Sequence, residues 1–186
     1  MNPKQTYNFY YWGPLLFKIK MQQVDLKKCI KLCSKKSSKV DETLAGVIKH
    51  QHYISSIPYG KIINPYLGPF QQAYHHWYGK TFTRMTILVT WVNFMRAGEF
   101  NPPHMHSNCD LSSVLFVKIP EAIEEEHKKF TGTGGGPGTL SFTYWEFQPH
   151  TISNRVFFPE EGDLLYFQQP SLISLLLFCP KEKEYP

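Results

Sequence analysis

Long apolar runs are missing from this 186-residue chain. No stretch approaches the roughly 18 uninterrupted apolar residues of a membrane-spanning helix. The N-terminus does not join a basic start to an apolar segment and a small-residue cleavage site, so a soluble intracellular protein is expected. Cysteine is scarce as well. Cys29, Cys33, Cys109 and Cys179 form no Cys-x-x-Cys zinc pattern and lack the density of a secreted disulfide framework. Cys29 and Cys33, one helical turn apart, read as reduced, packed thiols. No repeat or heptad is present, and neither is a phosphate loop. The Gly-rich stretch Gly132 to Gly138 lacks a Gly-Lys-Ser/Thr ending and precedes a strand-like segment rather than a helix, so it reads as a connector.

What is there is the composition of a folded domain. With 42% hydrophobic and 16% aromatic residues the chain lies far from the low-hydrophobicity, high-charge regime of disorder, and its length suits one domain, residues 1–186. The net charge of +5 is uneven: residues 1–40 carry nine lysines against Asp25, a balance of +8, leaving −3 on residues 41–186. Lys27, Lys28, Lys31, Lys35, Lys36 and Lys39 suit either a solvated helix face or a surface that meets phosphates. No arginine is interleaved and no nucleic-acid motif accompanies them, so nucleic acid stands only as a possible partner.

Along the chain, Trp12 to Met21 reads as a short strand, Asp25 to Cys33 as a helix and Ser34 to Lys39 as a polar connector. Ile62 to Tyr78 is helical in its second half, where Phe70, Tyr74 and Trp77 recur at spacings of four and three on one core-facing side. From Thr81 the pattern turns to β-branched and aromatic runs: Met85 to Met95, Leu111 to Ile119, Thr139 to Phe147 and Asp163 to Phe167. A charged helix, Glu121 to Phe130, interrupts them. The expected fold class is α+β, with a mainly helical layer over 1–80, a β core over 81–167 arranged as a sandwich or open barrel, and an atypical tail over 168–186.

Chemistry concentrates between Trp91 and Pro120. A strand runs into Asn101-Pro-Pro-His-Met-His-Ser107, and another begins near Leu111. If the chain is extended there, His104 and His106 project from the same face and both rings reach one ion. Neutral imidazole suits Fe(II), Zn(II) and Cu(II). His50 and His52 share the spacing but sit in a polar stretch; His75 and His76 would diverge on a helix, and His150 adjoins Pro149.

The runs Trp91-Val-Asn, Gly98-Glu-Phe-Asn-Pro-Pro-His-Met-His-Ser-Asn-Cys-Asp, Ser112-Ser-Val-Leu-Phe-Val-Lys-Ile-Pro and Phe157-Phe-Pro-Glu-Glu-Gly-Asp-Leu-Leu-Tyr-Phe resemble the signature of phage-type iron(II)/2-oxoglutarate-dependent dioxygenases. Trp12-Gly-Pro-Leu-Leu-Phe-Lys and Ala73-Tyr-His-His-Trp-Tyr-Gly-Lys resemble a subset of that family, so the likeness covers most of residues 10–167. The resemblance implies a double-stranded β-helix, of jelly-roll or cupin-like type, with N-terminal helices. It further implies Fe(II) and 2-oxoglutarate as cofactors, dioxygen activated at the metal to abstract hydrogen from a substrate, and the cytoplasm of a phage-infected cell as location. His104 and His106 would be two of three protein ligands to the metal. Asp110 stands as an alternative carboxylate ligand or as a turn acid, and Asn93 and Trp91 as cofactor contacts or core.

The likeness stops after Phe167. The family continues with Pro, the third ligand His and, about a dozen residues on, an Arg for the far carboxylate of 2-oxoglutarate; here follow Gln168-Gln-Pro-Ser-Leu-Ile-Ser and a run of leucines. Loss of one base just after the Phe167 codon would account for this. Shifted codons permit Pro-Ala from Gln168 and Gln169, His at the Leu172/Ile173 junction, and Arg-Ile-Ser from Lys183 to Pro186. The sequence therefore suggests an oxygenase that is impaired as written. Two other readings are a non-catalytic β-sandwich that binds nucleic acid or protein through its Lys-rich N-terminal region, and a cupin-type two-His zinc or copper site. Substrate and oligomeric state are not legible.

Overall fold

A computed structural model describes residues 6–10, 13–35, 38–40, 45–133, 135–143, 154–168 and 172–176. Three helices and ten strands alternate along them: β1 (Tyr7–Tyr10), β2 (Leu16–Lys20), α1 (Gln23–Cys33), β3 (Gln51–Tyr53), α2 (Ser56–Tyr78), β4 (Trp91–Asn93), β5 (Phe100–His104), β6 (Leu111–Leu115), α3 (Glu121–Lys129), β7 (Leu140–Thr143), β8 (Asn154–Phe157), β9 (Asp163–Gln168) and β10 (Leu172–Leu176). They build two four-stranded antiparallel sheets, ordered β1-β2-β9-β6 and β5-β10-β7-β8, and a β3-β4 pair.

β9 explains the layering. Residues Asp163 to Phe167 are all buried, as expected of a strand covered on both faces. Leu164 and Tyr166 point to a core shared with Phe17 and Ile19 of β2, Leu26 and Cys29 of α1, and Ile63, Tyr66, Phe70 and Ala73 of α2. Leu165 and Phe167 point the other way and meet Leu140 and Phe142 of β7 and Ile173 of β10. The first sheet is thus packed between helices and the second sheet. Each large apolar side chain removed from water here contributes about 1.5–3 kcal/mol.

The helices follow their sequence signals. In α2 the buried Ile63, Tyr66, Phe70 and Ala73 recur at three- and four-residue spacing, Tyr74 and Trp77 pack beside them, and Phe70 stacks on Tyr166 with ring centroids 5.0 Å apart. Gly79 ends the helix in the left-handed region at φ 63°, its N–H returning to the His75 carbonyl. α1 carries Asp25 in its first turn, where the carboxylate accepts hydrogen bonds from Lys28 and from the Tyr66 hydroxyl at 2.9 Å.

Three expectations change. Met85 to Met95 forms a strand only at Trp91–Asn93. Met85, Ile87, Leu88 and Val89 are exposed and in no sheet, because a β-rich run needs a neighbouring strand and the one available, β3, reaches only β4. The helical layer expected over 1–80 does not stand apart from the β core, since β1 and β2 join the first sheet, with β2 pairing β9 from Leu16↔Phe167 to Lys20↔Asp163. Within the tail expected to be atypical, Leu172–Leu176 forms β10 at an interior position of the second sheet. The strand over Thr139 to Phe147 is seen as β7, and residues 144–153 lie outside the described residues.

Candidate metal-binding site

The two histidines stand where β5 leaves the second sheet for the first. Phe100–His104 is an edge strand, a position that tolerates Pro102 and Pro103 because one row of its backbone groups needs no sheet partner. His106 follows. The chain then reverses through Asn108 at φ 61°, in the left-handed region where asparagine is tolerated, and enters β6. The return places Ser112 of β6 against the His106 ring, with Ser112 Oγ 2.8 Å from His106 Nδ1.

The rings converge. His104 and His106 have centroids 5.1 Å apart, and their Nε2 atoms lie 3.2 Å from each other. Each Nδ1 is occupied on its far side: that of His104 donates to the Pro102 carbonyl at 2.8 Å, and that of His106 meets Ser112. Trp91 of β4 and Phe167 of β9 wall the His106 ring, both at 5.8 Å between centroids. Burial pushes the His106 pKa down to about 4, helped by the neighbouring His104. His106 is consequently a neutral base at physiological pH, as a metal ligand must be.

The pair fits two positions on one ion. Two nitrogens each about 2.1 Å from a metal and at nearly a right angle lie about 3 Å apart, close to the 3.2 Å found. The fit is partial, since no group of three or more His, Cys, Asp or Glu gathers among the described residues. Asp110, the alternative carboxylate, is exposed on the bend before β6 and is not brought into a cluster with the imidazoles. Glu99 is buried but committed to its own turn, accepting from the N–H groups of Arg96 and Lys49 at 2.9 and 3.0 Å. Trp91 lies beside His106, whereas the Asn93 amide oxygen accepts from Gln51 Nε2 at 3.2 Å. His52 sits on β3 paired with Val92, and His75 and His76 are on the exposed side of α2. His150 lies outside the described residues.

Sequence reasoning missed Ser112, the Pro102 carbonyl and the placement of residue 173 beside His104. The signals were there in part: Ser112 is even-numbered on a strand whose Val114 faces the same inter-sheet core. Ile173 is paired with His104 across β10 and β5, so both side chains leave the same face, and it is 6% exposed. Nothing local to residue 173 reveals that.

A family model described as "Putative 2OG-Fe(II) oxygenase" matches residues 89–173. The matched region contains the His104–His106 pair and Ser112, and closes on Ile173. No curated protein and no solved structure matches the chain. The match supports an iron(II)/2-oxoglutarate oxygenase family for this region, and with it, at family level, Fe(II) and 2-oxoglutarate. No helix among the described residues is long and apolar enough to cross a membrane.

Proposed function

We propose that this chain is an iron(II)/2-oxoglutarate-dependent oxygenase of the phage type, acting as a hydroxylase by descent, whose His104 and His106 hold the metal and whose ligand set is interrupted by a shifted reading frame after Phe167. The observation that carries this reading is the pair of Nε2 atoms 3.2 Å apart. The two four-stranded antiparallel sheets stacked about a common core suit the jelly roll that such an oxygenase requires.

When bound, the metal and 2-oxoglutarate together supply the oxidising power for hydroxylation. The chain's own residues do the holding. His104 and His106 present bare nitrogens, the Pro102 carbonyl and Ser112 orient the rings, and Trp91 and Phe167 keep water from the His106 side. In the reconstructed frame the third imidazole falls at position 173, which Ile173 fills beside His104. With Ile173 in that slot the ion would lack a third protein donor, so the chain as written binds metal weakly and turns over little 2-oxoglutarate.

Two measurements test this. Anaerobic titration with Fe(II) should give weak binding that disappears in His104→Ala and His106→Ala; binding unchanged in both would refute the metal assignment. Resequencing the gene from the Phe167 codon should recover a frame encoding Pro, the third His and Arg-Ile-Ser. A confirmed reading of Gln168-Gln-Pro in the native gene would remove the frameshift and leave an incomplete, non-catalytic site.

A further inference from the structure

The chain runs without a bend from Arg84 to Thr90 and into β4, and among the described residues no backbone group of Met85 to Val89 makes a hydrogen bond. All five of these side chains are exposed, and Met85, Ile87, Leu88 and Val89 are apolar. Apolar side chains on an unpaired backbone are the combination that invites an added strand. The run is also held in place. Ser56 Oγ and Thr90 Oγ1 lie 3.0 Å apart, and the Thr90 carbonyl accepts from the Ile54 N–H at 3.0 Å. Gly60 of α2 lets Ile87 close on the helix, since a Cβ there would come within 3.0 Å of Ile87 Cδ1.

An open groove lies between this run and the first half of α2. Ile57, which is 75% exposed, gives it an apolar wall together with Met85 and Ile87. Lys61 and Arg84 supply its only charges, and none of its lining residues is acidic. Neither cation makes an ion pair among the described residues. This positive charge is local, because residues 41–186 as a whole carry −3.

We propose that the groove docks an extended acidic segment of a partner protein, which pairs its backbone with Met85 to Val89 and sets carboxylates against Lys61 and Arg84. The inference does not depend on the metal reading. Backbone and charge together select this occupant. A second copy joined through the same face would bring the same two cations and no acid to meet them. A lipid surface would leave the unpaired N–H and C=O groups without partners. Nucleic acid would find no aromatic ring in the groove on which a base could stack.

The test uses the full chain and three probes: a short capped peptide of alternating glutamate and valine, its counterpart with lysine for glutamate, and the acidic peptide with its amides N-methylated. Fluorescence anisotropy gives the affinities, and hydrogen exchange locates the site. In the free protein the amides of Met85 to Val89 should exchange as open chain does, and the acidic peptide should protect them. The lysine and N-methylated peptides should bind at least about 10-fold more weakly, as should the acidic peptide to the double variant Lys61→Glu, Arg84→Glu. Met85→Pro and Thr86→Pro each delete an N–H that bonds nothing among the described residues, on opposite edges of the run. Both should melt with the parent, and one of them should lose the peptide. The charge reversal keeps the test decisive if proline disturbs the fold. No binding of the acidic peptide at about 1 mM, equal binding of the lysine peptide, or unchanged affinity in the charge-reversed variant overturns the proposal. Protection of Met85 to Val89 in the free protein also overturns it: protection that grows with protein concentration assigns the edge to a second copy, and constant protection assigns it to the chain itself. Protection by phosphatidylserine vesicles but not by peptide overturns it in favour of a membrane.

Discussion

Replacing Ile173 with histidine puts the proposed ligand set to a direct test. Ile173 is 6% exposed, lies across from His104 in adjacent strands, and packs against Phe142, Phe167 and Leu165. Directly paired residues place their Cβ atoms about 4.5–5.5 Å apart, so an imidazole at this position starts within reach of the ion that His104 and His106 would share. Without metal the change is harmful. The isoleucine gives up about 2–3 kcal/mol of burial, and a buried ring nitrogen left without a partner adds about 1–3 kcal/mol. With metal the sign reverses. If the third donor tightens binding a hundredfold, a cation concentration that only equals the parent's Kd is one hundred times that of Ile173→His. The folded variant then gains about 2.7 kcal/mol against about 0.4 kcal/mol for the parent. For a domain of this size each kcal/mol moves Tm by roughly 2–4 °C. The assay is thermal unfolding under anaerobic conditions with and without Co(II) as a stable substitute for Fe(II). Ile173→His should melt well below the parent without metal and recover by roughly 5–9 °C more than the parent when cobalt is added. A cobalt response no larger than the parent's would refute the placement of the third ligand at 173.

Other consequences follow from the packing and charge of the same structure. Asp163 is 1% exposed, bonded to Lys18 at 2.8 Å and Lys20 at 3.2 Å, and it accepts the Glu160 N–H; Asp163→Ala leaves Lys18 unpaired and should cost about 3 kcal/mol in urea unfolding, a loss under 1 kcal/mol showing the network to be ornamental. Leu165→Ala opens a cavity between the sheets and should cost about 2–5 kcal/mol, whereas Leu88→Ser, at a position 67% exposed, should stay within about 0.5 kcal/mol by the same assay. The pH dependence of stability carries the His106 signature: its pKa falls from about 6.5 to about 4 on folding. The unfolded chain then binds more protons between those values, so stability drops as pH falls through that window and is fully present above it. Urea midpoints at pH 7 and pH 5 should differ less in His106→Gln than in the parent, and an equal difference would remove His106 from the account.

The sequence alone determined the local features. Start signals marked α1, the aromatic stripe marked α2 and its buried side, and runs of β-branched and aromatic residues marked β6, β7 and β9. His-Met-His after a proline pair marked the candidate metal site, because two imidazoles two residues apart on extended chain share a face. These are short-range consequences of backbone geometry and need no distant partner. Tertiary structure decided what depends on distant partners. Met85 to Val89 has the residues of a strand yet stays outside every sheet, while the polar Gln51–Tyr53 becomes one, because pairing needs an opposite edge and not a propensity. Asp110 is the carboxylate nearest in sequence to His106 and still faces solvent, since the turn at Asn108 redirects the chain. Ser112 reaches His106 only because β6 joins the first sheet as β5 joins the second. Ile173 meets His104 only through the register of β10 against β5, a long-range contact that no window of local sequence encodes.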